Sequence, residues 1–180
     1  MKNTRFKKIK FRLRLTPQTL MRLRDRYFDD KSGMKREEAA FEAGRRILGG
    51  YYGEDVLAAI FRWKSNRPKA LLARNDPADV ADALRLATSA ATARAAIAVL
   101  CGLRGIAVPV ASAVMTAVDQ ERFTVIDFRA LQTLGVELES PTIDQYTQYL
   151  EYCQAKSQEL ALTLRDLDRA LWQHSKERQG

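Results

Sequence analysis

Asp127 has the sequence setting of a fixed, reactive carboxylate. Thr124-Val125-Ile126 leads directly into it, and a short predicted helix over residues 128–134 follows, with Gly135 as the residue that ends this helix. A fixed carboxylate can stabilise positive charge that develops on a substrate, and it can orient or deprotonate a water molecule. An aspartate in this place can equally be a helix N-cap that accepts hydrogen bonds from the first N–H groups. Taken alone, Asp127 favours the capping interpretation.

A tight turn between two predicted helices lies upstream of Asp127. An apolar helix ends at Cys101-Gly102, the turn spans residues 103–107, and the next helix opens at Val108-Pro109, because proline is favoured where the first N–H groups lack partners. Such a turn leaves several backbone N–H groups pointing one way, in front of the positive end of a helix dipole, which suits a phosphate of any nucleotide. The residues that we assign to this DNA-binding site are Arg104, Gly105, Ile106 and Ala107.

Together, the turn and Asp127 resemble the helix-hairpin-helix (HhH-GPD) DNA glycosylases. Their turn usually reads Leu-Pro-Gly-Val-Gly and precedes a variable position, often lysine, and then a catalytic aspartate. Leu103, Gly105 and Ile106 match this turn, Ala111 matches an alanine of the second helix, and Asp127 follows Pro109 by eighteen positions, which is the separation that the family keeps. The chain departs from the pattern at Arg104, where proline is usual, at Ala107, which replaces the second glycine, and at Phe128-Arg129.

The resemblance implies an oxoguanine-glycosylase-like fold, an all-α, two-lobed helical bundle with a helix-hairpin-helix motif. One lobe would span residues 76–135 and carry the hairpin and Asp127. The other would combine residues 16–75 with residues 140–180, and the base pocket would lie between the lobes. The partner would be double-stranded DNA with one nucleotide extruded from the stack.

The implied function is excision of a damaged or modified base by hydrolysis of its N-glycosidic bond, with Asp127 stabilising the sugar cation and holding the water. In relatives that also cut the strand, a lysine at the start of the second helix attacks the sugar. Pro109 stands in that place and has no amine, so we expect a monofunctional enzyme, with Lys64 and Lys69 as the other candidates for an amine. Two alternatives stay open: a non-catalytic helix-hairpin-helix module that binds DNA, and a helical scaffold for protein interactions.

The net charge of +8 lies mostly at the N-terminus. Apolar residues Ile9, Phe11, Leu13 and Leu15 alternate there with basic ones, a period of two that predicts one short strand with a basic face. Such a basic arm, residues 1–15, would bind DNA phosphates in a salt-dependent manner, although a solvated tail explains the charges equally well. The arm residues that we assign to DNA binding are Lys7, Lys8, Lys10 and Arg12.

A base extruded from the DNA stack needs aromatic surfaces to hold it. The residues that we consider for this pocket are Tyr52, Trp63, Phe128 and Trp172. For Tyr52 and Trp63, packing in the core or between helices is the commoner role.

Composition argues against metal-binding and membrane proteins. The two cysteines, Cys101 and Cys153, lie in apolar helical patterns and are too few for the four-cysteine iron–sulfur cluster of some relatives. One histidine, His174, and no clustered ligands argue against a metal site, and we expect no cofactor. No apolar run approaches the length of a membrane span, so we expect a cytoplasmic protein that does not bind membranes. We also expect a monomer.

Helical periodicity predicts about seven or eight helices. Among them are helices over residues 17–27, 35–48, 142–155 and 158–176, with a turn over residues 29–33.

Overall fold

A computed structural model describes residues 8–64 and 69–179, and these parts of the chain contain ten helices and no strand. The all-α fold class predicted from the sequence is therefore confirmed. The helices are α1 (Pro17–Tyr27), α2 (Lys31–Leu48), α3 (Glu54–Lys64), α4 (Lys69–Leu72), α5 (Pro77–Ser89), α6 (Ala93–Cys101), α7 (Val108–Val118), α8 (Phe128–Thr133), α9 (Ile143–Glu159) and α10 (Leu164–Gln179). None of these helices is both long enough and apolar enough to cross a lipid bilayer.

The expected N-terminal strand is wrong, because residues 8–16 have no strand partner and form hydrogen bonds to α9 and to the residue that follows α8. The predicted alternation is present: the apolar side chains are half-buried and the basic ones are exposed. The backbone N–H groups, however, do not form the ladder of hydrogen bonds that a sheet requires. Instead, Ile9 donates to Gln148 Oε1 (2.9 Å), Arg12 to the Leu134 carbonyl (2.9 Å) and Leu13 to the Tyr152 hydroxyl (2.9 Å).

Side-chain caps set several helix starts. Thr16 accepts a hydrogen bond from the Thr19 N–H and Asp76 accepts one from the Ala78 N–H, as the Thr-Pro and Asp-Pro pairs predict. The expected turn over residues 29–33 is wrong, because Asp30 accepts a hydrogen bond from the Gly33 N–H (2.8 Å) and α2 already begins at Lys31. The last two helices also differ from their predicted ranges: α9 continues to Glu159 and α10 begins only at Leu164. Between them lies Ala161, whose φ of +51° does not fit a right-handed helix.

Helix α7 lies at the centre of the hydrophobic core. All of its residues except Pro109 are buried, and it packs against α2, α3, α5 and α6. At Gly44, α2 approaches α7 so closely that an added Cβ would lie 1.9 Å from the Ala117 carbonyl oxygen. Helix α10 packs against α1, α8 and α9 on the other side. Buried residues of both predicted lobes belong to one hydrophobic cluster, and the division into lobes stays a prediction.

Candidate active site

The backbone that leads into Asp127 is held by hydrogen bonds from two helices. Residues 124–126 are buried and lie outside any helix, so each polar backbone group there needs a partner. Two tyrosines of α9 donate hydrogen bonds to this segment: the Tyr146 hydroxyl to the Thr124 carbonyl (3.2 Å) and the Tyr149 hydroxyl to the Val125 carbonyl (3.2 Å). Ser112 of α7 accepts one, from the Ile126 N–H to its Oγ (3.1 Å). The position of Asp127 is thereby fixed from both sides.

Asp127 is an N-cap and also faces a cavity. Its Oδ1 accepts a hydrogen bond from the Arg129 N–H (2.9 Å) at the start of α8, and its Oδ2 contacts Lys64 Nζ. The Asp127 side chain is 14% exposed and that of Lys64 is 13% exposed. The two interpretations of Asp127 are therefore compatible, because one oxygen caps the helix while the other lies against a cavity.

The cavity beside Asp127 has a volume of about 150 Å³. A cavity of about this volume can hold one aromatic ring. Two of the predicted pocket residues, Trp63 and Trp172, line it, and Tyr27 meets Trp172 edge to face with a centroid separation of 5.5 Å. The other lining residues are Asp30, Gly33, Arg36, Lys64, Val125, Asp127, Arg165 and Asp168.

A buried ionic cluster supports one wall of this cavity. Arg165 contacts both Glu37 and Asp168, Arg169 contacts Glu37, and the Tyr27 hydroxyl donates to Glu37 Oε2 at 2.7 Å. Burial by itself would raise the pKa of Glu37, but the guanidinium groups of Arg165 and Arg169 lower that pKa to about 2. The Arg165 guanidinium is held at the cavity wall by these carboxylates.

Asp168 belongs to the same cluster but differs from Glu37 electrostatically. Burial raises the pKa of Asp168 to about 6, and the nearby Asp127 carboxylate acts in the same direction. Arg165 opposes this rise, but it shares its guanidinium with Glu37. The cavity thus has two neighbouring carboxyl groups, one partly exposed and one buried.

The turn between α6 and α7 presents only part of the predicted phosphate site. The Arg104 N–H donates to Asn75 Oδ1 (2.8 Å), and the Ile106 N–H donates to the Leu103 carbonyl (3.2 Å), with the Ile106 side chain buried. Gly105 has a φ of +82°, a conformation that favours glycine. Within the described ranges, the N–H groups of Gly105 and Ala107 have no protein acceptor. These two groups remain the candidates for binding a phosphate.

The other predicted site residues that the structure describes lie outside the cavity lining. Tyr52 is half-buried against the core, and Phe128, although next to Asp127 in sequence, is 55% exposed. Lys8 is exposed. Lys7 and the side chain of Lys69 lie outside the described residues. Lys10 and Arg12 line a separate groove of about 410 Å³, together with Arg14, Gln132, Thr133, Gly135 and Arg178.

A comparison of the chain with models of known families, with curated proteins and with solved structures found no match. In the parts of the chain that the structure describes, no three His, Cys, Asp or Glu side chains are grouped so as to hold a metal ion.

The sequence did not reveal Arg165, Asp168 or Ser112, which position the site. Arg165 and Asp168 stand three positions apart, and the predicted pocket residue Trp172 follows four positions later, which places all three on one face of α10. Ser112 stands in a mostly apolar helix, and a buried polar side chain in such a helix needs a partner. Both patterns are visible in the sequence, but neither identifies the segment that the side chains contact.

Proposed function

We propose that the protein is a monofunctional DNA glycosylase, which hydrolyses the N-glycosidic bond of a damaged or modified base. The observation that carries this proposal is a fixed carboxylate, Asp127, in the wall of a cavity that is also lined by Trp63 and Trp172. Breaking an N-glycosidic bond builds positive charge on the sugar, and a carboxylate held beside that charge lowers the barrier. The indole side chains offer apolar surface to an extruded base.

The proposed DNA contacts include a basic groove at the other end of α8 from Asp127. The groove formed by Lys10, Arg12, Arg14 and Arg178 lies beside α8, the helix that Asp127 opens, since Thr133 of α8 lines it. None of these four cations forms an ion pair with any residue that the structure describes. Unpaired cations in a groove favour binding of phosphates, and such binding is independent of base sequence.

A non-catalytic DNA-binding module is the second candidate. It is favoured because both Asp127 oxygens have partners, the Arg129 N–H and Lys64. A carboxylate with a purely structural role would have its hydrogen bonds satisfied in the same way. The two candidates share the basic groove and the turn, and they differ in whether Asp127 is needed for more than the cap.

The test is a panel of duplexes that carry different damaged or modified bases, with mass detection of the released base. We expect Asp127→Asn to remove excision, by about a hundredfold or more, while folding and DNA affinity remain, because asparagine keeps the shape and the cap but not the charge. Asp76→Asn is the matched control, since Asp76 caps α5 in the same manner and does not line the cavity. Undiminished excision by folded Asp127→Asn would contradict the catalytic role, and DNA binding without excision of any base would favour the second candidate.

A further inference from the structure

Lys64 is held inside the cavity at the end of α3. Its Nζ contacts the Asp127 carboxylate, and its side chain is mostly buried, which is uncommon for lysine. Other described lysines, such as Lys156 and Lys176, are at least twice as exposed, with 28% and 42% of the side chain accessible. Lys64 therefore brings an ammonium group to the place where the proposed reaction would occur.

A departing base needs a proton. When the N-glycosidic bond breaks, its electron pair leaves with the base nitrogen, and protonation of the base relieves the negative charge that forms there. The lining of the cavity contains several charged groups, which are the candidates for the proton donor.

Three other groups of the lining, those of Arg165, Tyr27 and Asp168, are poorly suited to give a proton to a base. Arg165 is bound by Glu37 and Asp168, and a guanidinium group does not lose its proton in proteins. The Tyr27 hydroxyl already donates to Glu37, and burial raises the pKa of Tyr27 to about 12. Asp168 accepts from the Arg165 guanidinium, so its carboxyl group is oriented as an acceptor. Among these described lining groups, Lys64 is the one with a transferable proton that contacts Asp127.

We propose that Lys64 is the general acid that protonates the departing base; this role rests on the proposed glycosylase function. The base takes the electron pair of the broken bond and a proton from the Lys64 ammonium, which leaves a neutral amine. The Asp127 carboxylate stabilises the sugar cation. Water then forms the new bond to the sugar carbon and gives its proton to Asp127.

The contact between Lys64 and Asp127 completes the cycle. The proton that Asp127 takes from water passes to the neutral Lys64 amine across their direct contact, and both groups return to their starting states. The net reaction consumes one water, releases the base and leaves a hydroxyl on the sugar. No other reactant is needed.

The experiment uses two variants of Lys64 and two substrates under single-turnover conditions. Lys64→Met removes both the proton and the charge, while Lys64→Arg keeps a cation beside Asp127 but supplies no transferable proton. One substrate is the duplex whose base the panel shows to be released. The other carries the same base with one ring hydrogen replaced by fluorine, which makes the departing nitrogen less basic and its departure less dependent on an acid.

We expect both variants to lower the excision rate of the unmodified base by about 10²-fold to 10⁴-fold, and to lower that of the fluorinated base by a clearly smaller factor. Lys156→Met, which alters a lysine remote from the cavity lining, should excise both bases at the rate of the unaltered protein. Circular dichroism confirms that each variant is folded.

Three results would overturn the role of Lys64. Equal loss of rate with both bases, or recovery of the rate in Lys64→Arg, would mean that the lysine only holds Asp127. A covalent adduct with DNA after borohydride treatment, absent in Lys64→Met, would make Lys64 the nucleophile in place of water. Failure of the unaltered protein to release any base refutes the glycosylase proposal itself, and this outcome differs from release that does not depend on Lys64.

Discussion

Replacing Glu37 by glutamine should strongly destabilise the fold. Glu37 lies on α2 and is 1% exposed, and both of its carboxylate oxygens accept hydrogen bonds from α10 through Arg165 and Arg169. Tyr27 adds a third donor from α1. Glutamine removes the negative charge and puts an N–H₂ donor where only an acceptor fits, so two poorly exposed guanidinium groups lose their shared partner.

Two lines of reasoning give the magnitude. The pKa of Glu37 falls from 4.5 to about 2, and at 1.36 kcal/mol per pKa unit this corresponds to about 3 kcal/mol of stabilisation at neutral pH. Removing one partner of a buried ion pair typically costs about 3–5 kcal/mol. For a chain of this length, a loss of about 3 kcal/mol lowers Tm by roughly 6–12 °C.

Urea denaturation at pH 7 measures this loss, and Glu42→Gln is the matched control. Glu42 also lies on α2 and pairs with Arg45, but its side chain is 58% exposed, so its removal should cost less than about 1 kcal/mol. The stabilisation by Glu37 should be complete above the ordinary pKa of 4.5 and should disappear as the pH falls through about 2, because the carboxylate is then protonated in the folded state. If Glu37→Gln costs no more than Glu42→Gln, the ionic cluster does not hold α2 to α10.

Three further predictions concern packing, positioning and charge. Gly44→Ala should destabilise the fold by about 1–3 kcal/mol or more in thermal denaturation, because its Cβ would collide with the Ala117 carbonyl of α7, whereas Gly49→Ala, with 3.4 Å to the nearest atom, should be nearly neutral. Ser112→Ala should leave the buried Ile126 N–H without an acceptor, cost about 1–3 kcal/mol and lower the excision rate through displacement of Asp127; an unchanged rate would show that other contacts suffice. Replacing the groove cations by glutamine should weaken DNA binding uniformly across sequences and reduce the slope of log affinity against log salt by roughly one for each phosphate that the protein no longer neutralises; an unchanged slope would remove the groove from the proposed DNA surface. The groove cations are Lys10, Arg12, Arg14 and Arg178.

The helices that the sequence predicted well are those with local end signals. Thr16-Pro17, Asp76-Pro77 and Gly135 act within one turn of their own position, so their effect can be read without knowledge of the rest of the fold. The prediction of an N-terminal strand was wrong because it depended on distant parts of the chain. Its alternation was correct, but the partners of Ile9 and Leu13 lie 139 residues away on α9, and a period of two does not specify whether the partner is a strand.

The residues of the candidate site could be predicted only in part. Spacing and the apolar lead-in singled out Asp127, and aromatic character singled out Trp63 and Trp172, and all three line the cavity. Tyr52 has the same character but packs elsewhere, since the choice between these aromatic side chains depends on which face of each helix is left open to the cavity. The contact between Arg165 and Glu37 spans 128 positions in the sequence, and no local pattern specifies such a contact.

Asp127 has support of its own besides its contact with Lys64. It precedes α8, where its Oδ1 accepts a hydrogen bond from the Arg129 N–H, while its Oδ2 contacts Lys64 Nζ. A ligand that separates the two side chains would therefore still leave the Asp127 carboxylate with a hydrogen-bond donor. This arrangement suits the proposed mechanism, in which the carboxylate and the ammonium act on different atoms of one substrate, the sugar carbon and the departing base, and then meet again to exchange a proton.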